Sequence, residues 1–266
     1  MKLIDGRAEA QHIRTMVTEE VARLGARPGL GVILVGDDPA SRLYVGLKEK
    51  ACAAVGILFE LSVFPADASQ EDVMHAVEAF NHRDDIDAML VQLPLPPHLD
   101  TDAIMNAIAP RKDVDGFHPE NLRAYLEGTG EAPGLIEAIS LLLDTVATPD
   151  HGLACVLANS AIFSVPLETM LSRRGLEPTE DVNAADVVVT AVGKPGSLTA
   201  KMLKQGAIVI DVGTTRVDEK TVGDADAESL AGVASAVTPV PGGVGPMTVA
   251  MLLKKTLDLA KRNRNK

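Results

Sequence analysis

The chain reads as an α/β protein of two domains built on parallel sheets, and three observations carry that expectation. Between residues 6 and 93, short apolar runs alternate with segments of helical period, the pattern of successive βαβ units. Two later runs, residues 187–192 and 207–212, are apolar almost throughout, as strands buried on both faces are. A length of 266 residues with 46% hydrophobic content is enough for one large or two modest cores.

In chain order, residues 6–24 place Ile13, Met16, Val17, Val21 and Leu24 at helical spacing, and residues 30–35 form the first strand. A helix over 40–55 follows, closed by Gly56 as a C-cap. Residues 57–63 form the second strand. Ser69 with Asp72 three positions on then caps a helix that runs to about Asn81. The third strand spans 87–93 and ends in Pro94-Leu95-Pro96-Pro97, which neither a central strand nor a helix accommodates. A helix over 100–109 leads to the charged loop from Pro110 to Pro119. Beyond it, helices are expected at 120–127 and 135–146, a strand at 151–157, a helix ending near Arg174, and a final helix from Pro246 to about Lys261. That last helix, with Val249, Leu252, Leu253, Thr256 and Leu257 on one face, is expected to pack back on the first domain.

The segment from Ser41 to Lys50 organises the candidate site. The preceding strand runs into Gly36-Asp37-Asp38-Pro39, so the helix starts at the carboxyl edge of a sheet, where open α/β folds keep their ligands. Ser41, Tyr44 and Lys48 lie at i, i+3 and i+7 and share one face. A solvated helix face is the plainer alternative. A lysine acts as acid or base near neutral pH when desolvation or a neighbouring cation lowers its pKa. Gln92 falls at the end of the third strand, level with the start of that helix. In the charged loop Asp115-Gly116 is a turn signal, and for Asp115 an Asx turn is the plainer role.

Charge and composition narrow the classes. The 25 basic and 37 acidic residues give a net charge of −12 with no basic stripe, against a nucleic-acid partner. Anionic small molecules stay open, because a pocket sets its own potential. The basic end, Lys261 to Lys266, reads as a frayed, solvated terminus. No apolar run is long enough to span a membrane and the first residues lack a secretion signal, so a cytoplasmic protein is expected. Cys52 and Cys155 have no metal or disulfide spacing, His118 has no partner at metal-ligand spacing, and no metal is expected. The nine methionines are scattered core filler.

Four motifs, in order over nearly the whole chain, resemble the bifunctional methylenetetrahydrofolate dehydrogenase/methenyltetrahydrofolate cyclohydrolase family. They are Ser41-x-x-Tyr44-Val45-x-x-Lys48-x-Lys50, Val91-Gln92-Leu93-Pro94-Leu95-Pro96, residues 112–119 (Lys-Asp-Val-Asp-Gly-Phe-His-Pro) and residues 239–248 (Pro-Val-Pro-Gly-Gly-Val-Gly-Pro-Met-Thr). The resemblance implies an N-terminal three-layer α/β catalytic domain, residues 1–120 plus 246–266, and a Rossmann-like domain, residues 121–245, that brings NADP to a tetrahydrofolate derivative. It makes Lys48 the central catalytic group. Tyr44 would stack on the folate, Gln92 would tune the lysine by a hydrogen bond, Asp115 would bind the pterin edge and Ser41 would support the site. Pro241, Gly242 and Gly243 would lie against the substrate, although a plain interdomain turn also explains them. Ser160, Pro166, Gly193 and Thr214 would belong to the cofactor site. A homodimer is implied.

The second half departs from the family pattern. Pro133-Gly134-Leu135-Ile136 stands where the family has Pro-Cys-Thr-Pro, and residues 158–166, Ala-Asn-Ser-Ala-Ile-Phe-Ser-Val-Pro, replace a Gly-Arg-Ser-x-x-Val-Gly-x-Pro turn. The glycines of a dinucleotide turn let backbone approach a diphosphate, and Asn159 lacks the charge an arginine offers a 2′-phosphate. Ser160 is therefore read first as a helix cap and second as a phosphate ligand. Residues 176–183 are too few for both the strand and the short helix that the family places there, so a trimmed sheet edge is expected. Together these features predict weak NADP binding and a chain that works mainly as a cyclohydrolase. Two rivals remain: a non-catalytic folate-binding paralogue, against which the four site residues stand, and an unrelated nicotinamide-dependent oxidoreductase, which should carry a glycine-rich turn.

Overall fold

The structure is a computed structural model and describes residues 1–218 and 220–264. It divides into two compact units. One comprises residues 12–134 and 249–266, the other residues 1–11 and 135–248.

The first unit is a parallel three-stranded sheet of β2 (Gly29–Val35), β3 (Leu58–Phe64) and β4 (Ala88–Val91), ordered β3-β2-β4. Its helices are α2 (Pro39–Val55), α3 (Gln70–His82), α4 (Thr101–Asn106) and α5 (Pro119–Leu126), with most of α1 (Gly6–Arg23) and α8 (Val244–Arg264). All seven residues of the central strand β2 are buried. Ile33 and Val35 pack with Val73, Val77 and Phe80 of α3 and with Met89 and Val91 of β4. The Ser69 hydroxyl caps α3 by accepting from the Asp72 amide at 3.1 Å and donates to the Asp72 carboxylate at 2.6 Å, as its sequence spacing requires.

The second unit is built on a six-stranded, all-parallel sheet, ordered β1-β11-β8-β7-β5-β6. The strands are β1 (Lys2–Leu3), β5 (Gly152–Ala158), β6 (Leu176–Pro178), β7 (Val187–Ala191), β8 (Ile208–Asp211) and β11 (Ala236–Val237). Helices α6 (Gly134–Asp144) and α7 (Ala161–Arg173) join it, and β9 (Thr215–Val217) with β10 (Lys220–Val222) form a separate antiparallel hairpin. The order β8-β7-β5-β6 is that of a doubly wound nucleotide-binding sheet. The trimmed edge takes the form of β6, which keeps three residues, while a turn at 181–185 stands in place of a helix.

The observed units differ at their boundaries from the sequence expectation. Residues 2–3 pair with β11, 234 positions along the chain, and this draws residues 1–11 into the second unit. Residues 121–134 fall in the first. The expectation of a frayed basic terminus is corrected through residue 264. α8 continues to Arg264, where Arg264 pairs with the buried Asp87 at 2.9 Å, Arg262 pairs with Glu131 at 3.0 Å, and Lys261 pairs with Glu20. Asn265 and Lys266 lie outside the described residues. The strand read at 87–93 is shorter, Ala88–Val91, because the chain leaves the ladder ahead of the prolines. The helix read at 100–109 ends at Asn106.

Candidate active site

The site begins with how α2 starts and stops. The Asp38 carboxylate accepts the Ser41 amide at 2.7 Å, and Pro39, which lacks an N–H, fills the first helical position. At the other end Gly56 adopts φ 83° and donates back to the last turn. Between these caps the helix presents Ser41, Tyr44 and Lys48 in order of rising exposure to solvent and then partial return. Ser41 is buried, Tyr44 is 47% exposed and Lys48 is half-buried.

The lysine is held by a residue from the neighbouring strand. Its Nζ donates to Gln92 Oε1 at 2.8 Å, and Gln92 Nε2 donates to the Leu93 carbonyl at 2.7 Å, which fixes the amide with its oxygen toward the lysine. Gln92 stands directly beyond β4, and its own amide donates to the Ile33 carbonyl of β2, so the sheet itself sets its position. Desolvation holds the Lys48 amine below the ordinary lysine range, with the Asp115 carboxylate opposing that effect. The Asp115 carboxyl is pushed up to about 6, chiefly by burial and further by Asp113, while Lys48 draws it down. A cation and a carboxylate thus share one partly dehydrated spot, each moved toward its neutral form.

The loop that carries Asp115 is organised by two residues the sequence reading did not single out as functional. Asp113 pairs beside Met89 of β4 as an isolated parallel bridge, extending the sheet by one position. Its Oδ1 accepts the Gly116 amide at 3.0 Å, and its Oδ2 accepts the His118 amide at 2.8 Å and Asn121 Nδ2 at 2.9 Å. The buried Lys112 donates to the Phe80 and Arg83 carbonyls at 2.8 and 2.6 Å. The Asx-type turn therefore belongs to Asp113. Among the described residues the Asp115 carboxyl has no hydrogen bond. The three-residue interval from Asp113 to Gly116 was the available signal, hidden because Asp115 beside Gly116 is a turn signal too. Gly116 at φ 80° is required, since a Cβ there would meet Pro133 Cα at 2.9 Å. His118 caps α5 by accepting the Glu120 amide at its Nδ1, a structural role. No cluster of metal-ligating groups occurs among the described residues, and both cysteines are buried, the Cys52 thiol pushed up to about 12 by burial.

In the second unit Ser160 occupies the position before α7, yet its side chain makes no capping bond, which corrects the cap reading. Its hydroxyl stands at an exposed helix N-terminus immediately beyond β5. Pro166 is buried within α7. Gly193, at φ 69°, follows β7, and Thr214 is exposed beyond β8. Two buried carboxylates shape these loops. Asp224 accepts the amides of Val192, Gly193 and Lys194 at 2.7, 3.3 and 2.8 Å, and Asp211 accepts those of Gly213, Asp224 and Ala225 at 2.9, 3.1 and 2.8 Å. Sequence reasoning missed Asp224, which lies in no regular element. At the Pro241-Gly242-Gly243 turn the Pro241 carbonyl accepts from Arg7, and a Cβ on Gly242 or Gly243 would collide with Arg7 or Thr238. Close packing within the unit accounts for both glycines.

Fold and site together define a two-domain α/β protein that combines a lysine-centred polar cluster at one sheet edge with a nucleotide-type parallel sheet. The chain belongs to the tetrahydrofolate dehydrogenase/cyclohydrolase family. The family's catalytic-domain model matches residues 4–115, and its NAD(P)-binding-domain model matches residues 136–264. The chain is 45% identical over 277 residues to the bifunctional protein FolD of Cupriavidus necator, covering 98% of each chain, and 42% identical over 280 residues to that of Nitratiruptor sp., covering 99% of each. Among solved structures it is similar to a Trypanosoma brucei methylenetetrahydrofolate dehydrogenase-cyclohydrolase complexed with NADP and inhibitor. The TM-score is 0.94, the identity 37%, and the match covers 99% of this chain and 98% of that one. These matches extend over both halves and leave no support for an unrelated oxidoreductase.

Proposed function

We propose that the chain is a one-carbon folate enzyme, hydrolysing methenyltetrahydrofolate to formyltetrahydrofolate and carrying the family's nicotinamide-dependent methylenetetrahydrofolate dehydrogenase activity. The observation that carries the reading is the half-buried Lys48 held by Gln92 at 2.8 Å with Asp115 beside it. The methenyl bridge is a cationic carbon between two nitrogens. Water adds to that carbon as a proton leaves the water for the neutral Lys48 amine. The same proton then passes to the ring nitrogen as the carbon–nitrogen bond breaks, the proton left on the added hydroxyl departs to solvent as its oxygen becomes the carbonyl, and the formyl group is left on the other nitrogen. A lysine performs both halves only if desolvation keeps a useful fraction of it neutral. Gln92 takes one amine hydrogen, so the lone pair of the neutral amine points away from the amide and is available to the water. Asp115, free of the loop's own hydrogen bonds, accepts the N–H groups of the aminopyrimidine edge. Tyr44 offers an exposed ring for the flat heterocycle to stack on, and buried Ser41 supports the helix start.

The second unit fits a dinucleotide in outline. The Ser160 hydroxyl is unspent at the N-terminus of a 13-residue helix directly beyond β5, where doubly wound folds hold a diphosphate. The loops bearing Gly193 and Thr214 follow β7 and β8, the next two strands on one side of β5. Ser160 and the loops bearing Gly193 and Thr214 would hold the dinucleotide, which when bound would supply a hydride acceptor for the methylene carbon. Among the described residues no helix is long and apolar enough to cross a membrane. The cytoplasmic homodimer in this reading rests on the family resemblance. The test is a paired assay on one preparation, with methenyl hydrolysis and folate-dependent reduction of NAD and NADP followed side by side. Absence of hydrolysis at saturating folate would remove the proposal.

A further inference from the structure

We infer that the dinucleotide half does not read the 2′-phosphate that distinguishes NADP from NAD, so that the protein binds the two without preference for NADP. The inference rests on the cofactor part of the proposed function and adds what the sheet edge says about selectivity. In doubly wound folds the tip of the strand beyond the phosphate turn reaches the adenosine ribose. A carboxylate there bonds the 2′-hydroxyl, or an arginine nearby takes the 2′-phosphate.

Here that strand is β6, and its register shows how far it reaches. Gly152 pairs with Leu176, Leu153 with Glu177 and Ala154 with Pro178, and one further bond runs from the Thr179 amide to the Ala154 carbonyl at 2.9 Å. β5 continues to Ala158, still paired with β7 on its other side. At about 3.3 Å per residue, β6 stops about 13 Å short of the carboxyl edge where the ribose would lie. The chain then turns back at once. Thr179 Oγ1 accepts the Asp181 amide at 3.1 Å, Asp181 Oδ1 accepts the Asn183 amide at 3.0 Å, and the Ala184 amide returns to the Asp181 carbonyl at 3.1 Å.

Charge tells the same story independently. Between Gly152 and Val192 the only cations are Arg173 and Arg174. Both sit at the far end of α7, about 20 Å from its N-terminus at 1.5 Å per residue, and Arg174 is engaged with Asp144 at 2.6 Å and Ser140 at 3.0 Å. The charged residues near the end of β6 are Glu177, Glu180 and Asp181, all exposed. Asn159, the exposed residue of the turn, donates its Nδ2 to the Val192 carbonyl at 2.7 Å, toward the β7 side of β5. Lys194 also lies on that side, because β7 and β6 flank β5 from opposite directions. Within residues 152–192, which carry the turn and the strand that would reach the ribose, a 2′-phosphate would therefore meet no cation, whereas each charged hydrogen bond it gained would have been worth about tenfold or more in affinity.

The test is calorimetric titration of the full-length protein with NAD and NADP, with adenosine 5′-monophosphate and adenosine 2′,5′-bisphosphate titrated in parallel. Dissociation constants within threefold, or tighter binding of NAD, are expected, with no gain from the 2′-phosphate on the nucleotide fragment. NADP tighter than NAD by more than threefold would overturn the inference and leave the proposed function standing. If neither dinucleotide bound, the cofactor part of the proposed function would fall and the inference with it, while methenyl hydrolysis, measured separately, would stay unaffected.

Discussion

Replacing Asp115 by alanine separates substrate binding from loop architecture. The turn is held by Asp113 through three hydrogen bonds, and Asp115 contributes none of them. Asp115→Ala should therefore leave the fold intact. At pH 7 it removes a charged acceptor from the aminopyrimidine edge, a loss of about 2 to 3 kcal/mol, or about 30- to 150-fold in folate affinity at 1.36 kcal/mol per decade. With its carboxyl pushed up to about 6, the wild-type residue is roughly nine-tenths ionised at pH 7 and one-tenth at pH 5. Folate affinity should fall by about tenfold between those values in the wild type and stay nearly flat in the variant. Stability carries the opposite sign. A folded-state value raised above the unfolded one near 3.9 means this group stabilises the fold below about pH 4, and that contribution is lost as pH rises through about 6. Asp115→Ala should thus be no less stable than the wild type at pH 7, and the part of the stability-pH curve due to this group should vanish. Equilibrium folate titration from pH 5 to 8, paired with thermal melts, reads both. Unchanged affinity with a melting temperature lowered by several degrees would refute the reasoning and return Asp115 to a structural role.

Three further substitutions follow from the same geometry. Lys48→Ala should abolish methenyl hydrolysis while folate still binds through Tyr44 and Asp115, and steady-state turnover with a separate binding titration checks both halves. Asp113→Ala leaves the Gly116 and His118 amides without their acceptor and the Asn121 side chain with the Pro110 carbonyl alone, so it should destabilise the protein by about 2 to 4 kcal/mol in urea unfolding, in contrast to Asp115→Ala. Arg264→Ala leaves the Asp87 carboxylate, 2% exposed, with the Gly29 amide as its remaining hydrogen-bond donor among the described residues, and should cost about 2 kcal/mol in the same experiment.

Helix α2 was legible in the sequence because all its signals are local. Asp38, Pro39 and Gly56 mark its ends, and i, i+3, i+7 spacing sets Ser41, Tyr44 and Lys48 on one face. Gln92 was legible because the prolines after it end the strand. What stayed hidden depended on contacts distant in sequence or on elements too short to show a period. β1 and β11 have two residues each and exist through their pairing with each other and with β8. The basic terminus reads as solvated until Glu20, Asp87 and Glu131 are seen beside it. Asp113 and Asp115 are equivalent turn formers on paper, and it is the bridge to Met89 that gives the turn to Asp113. The shortened segment after α7 announced a trimmed edge, but how far β6 falls short of β5 is a matter of register.

The central claim is that the Lys48, Gln92 and Asp115 cluster performs hydrolysis. The most direct measurement is the rate at which the purified wild-type chain converts methenyltetrahydrofolate to formyltetrahydrofolate with no dinucleotide present, against buffer alone. Saturable turnover well above the buffer rate, rising with pH as Asp115 ionises and Lys48 loses its proton, is the predicted result. Tight folate binding with conversion no faster than buffer would contradict it and mark the chain as a binding protein that kept the site without the chemistry.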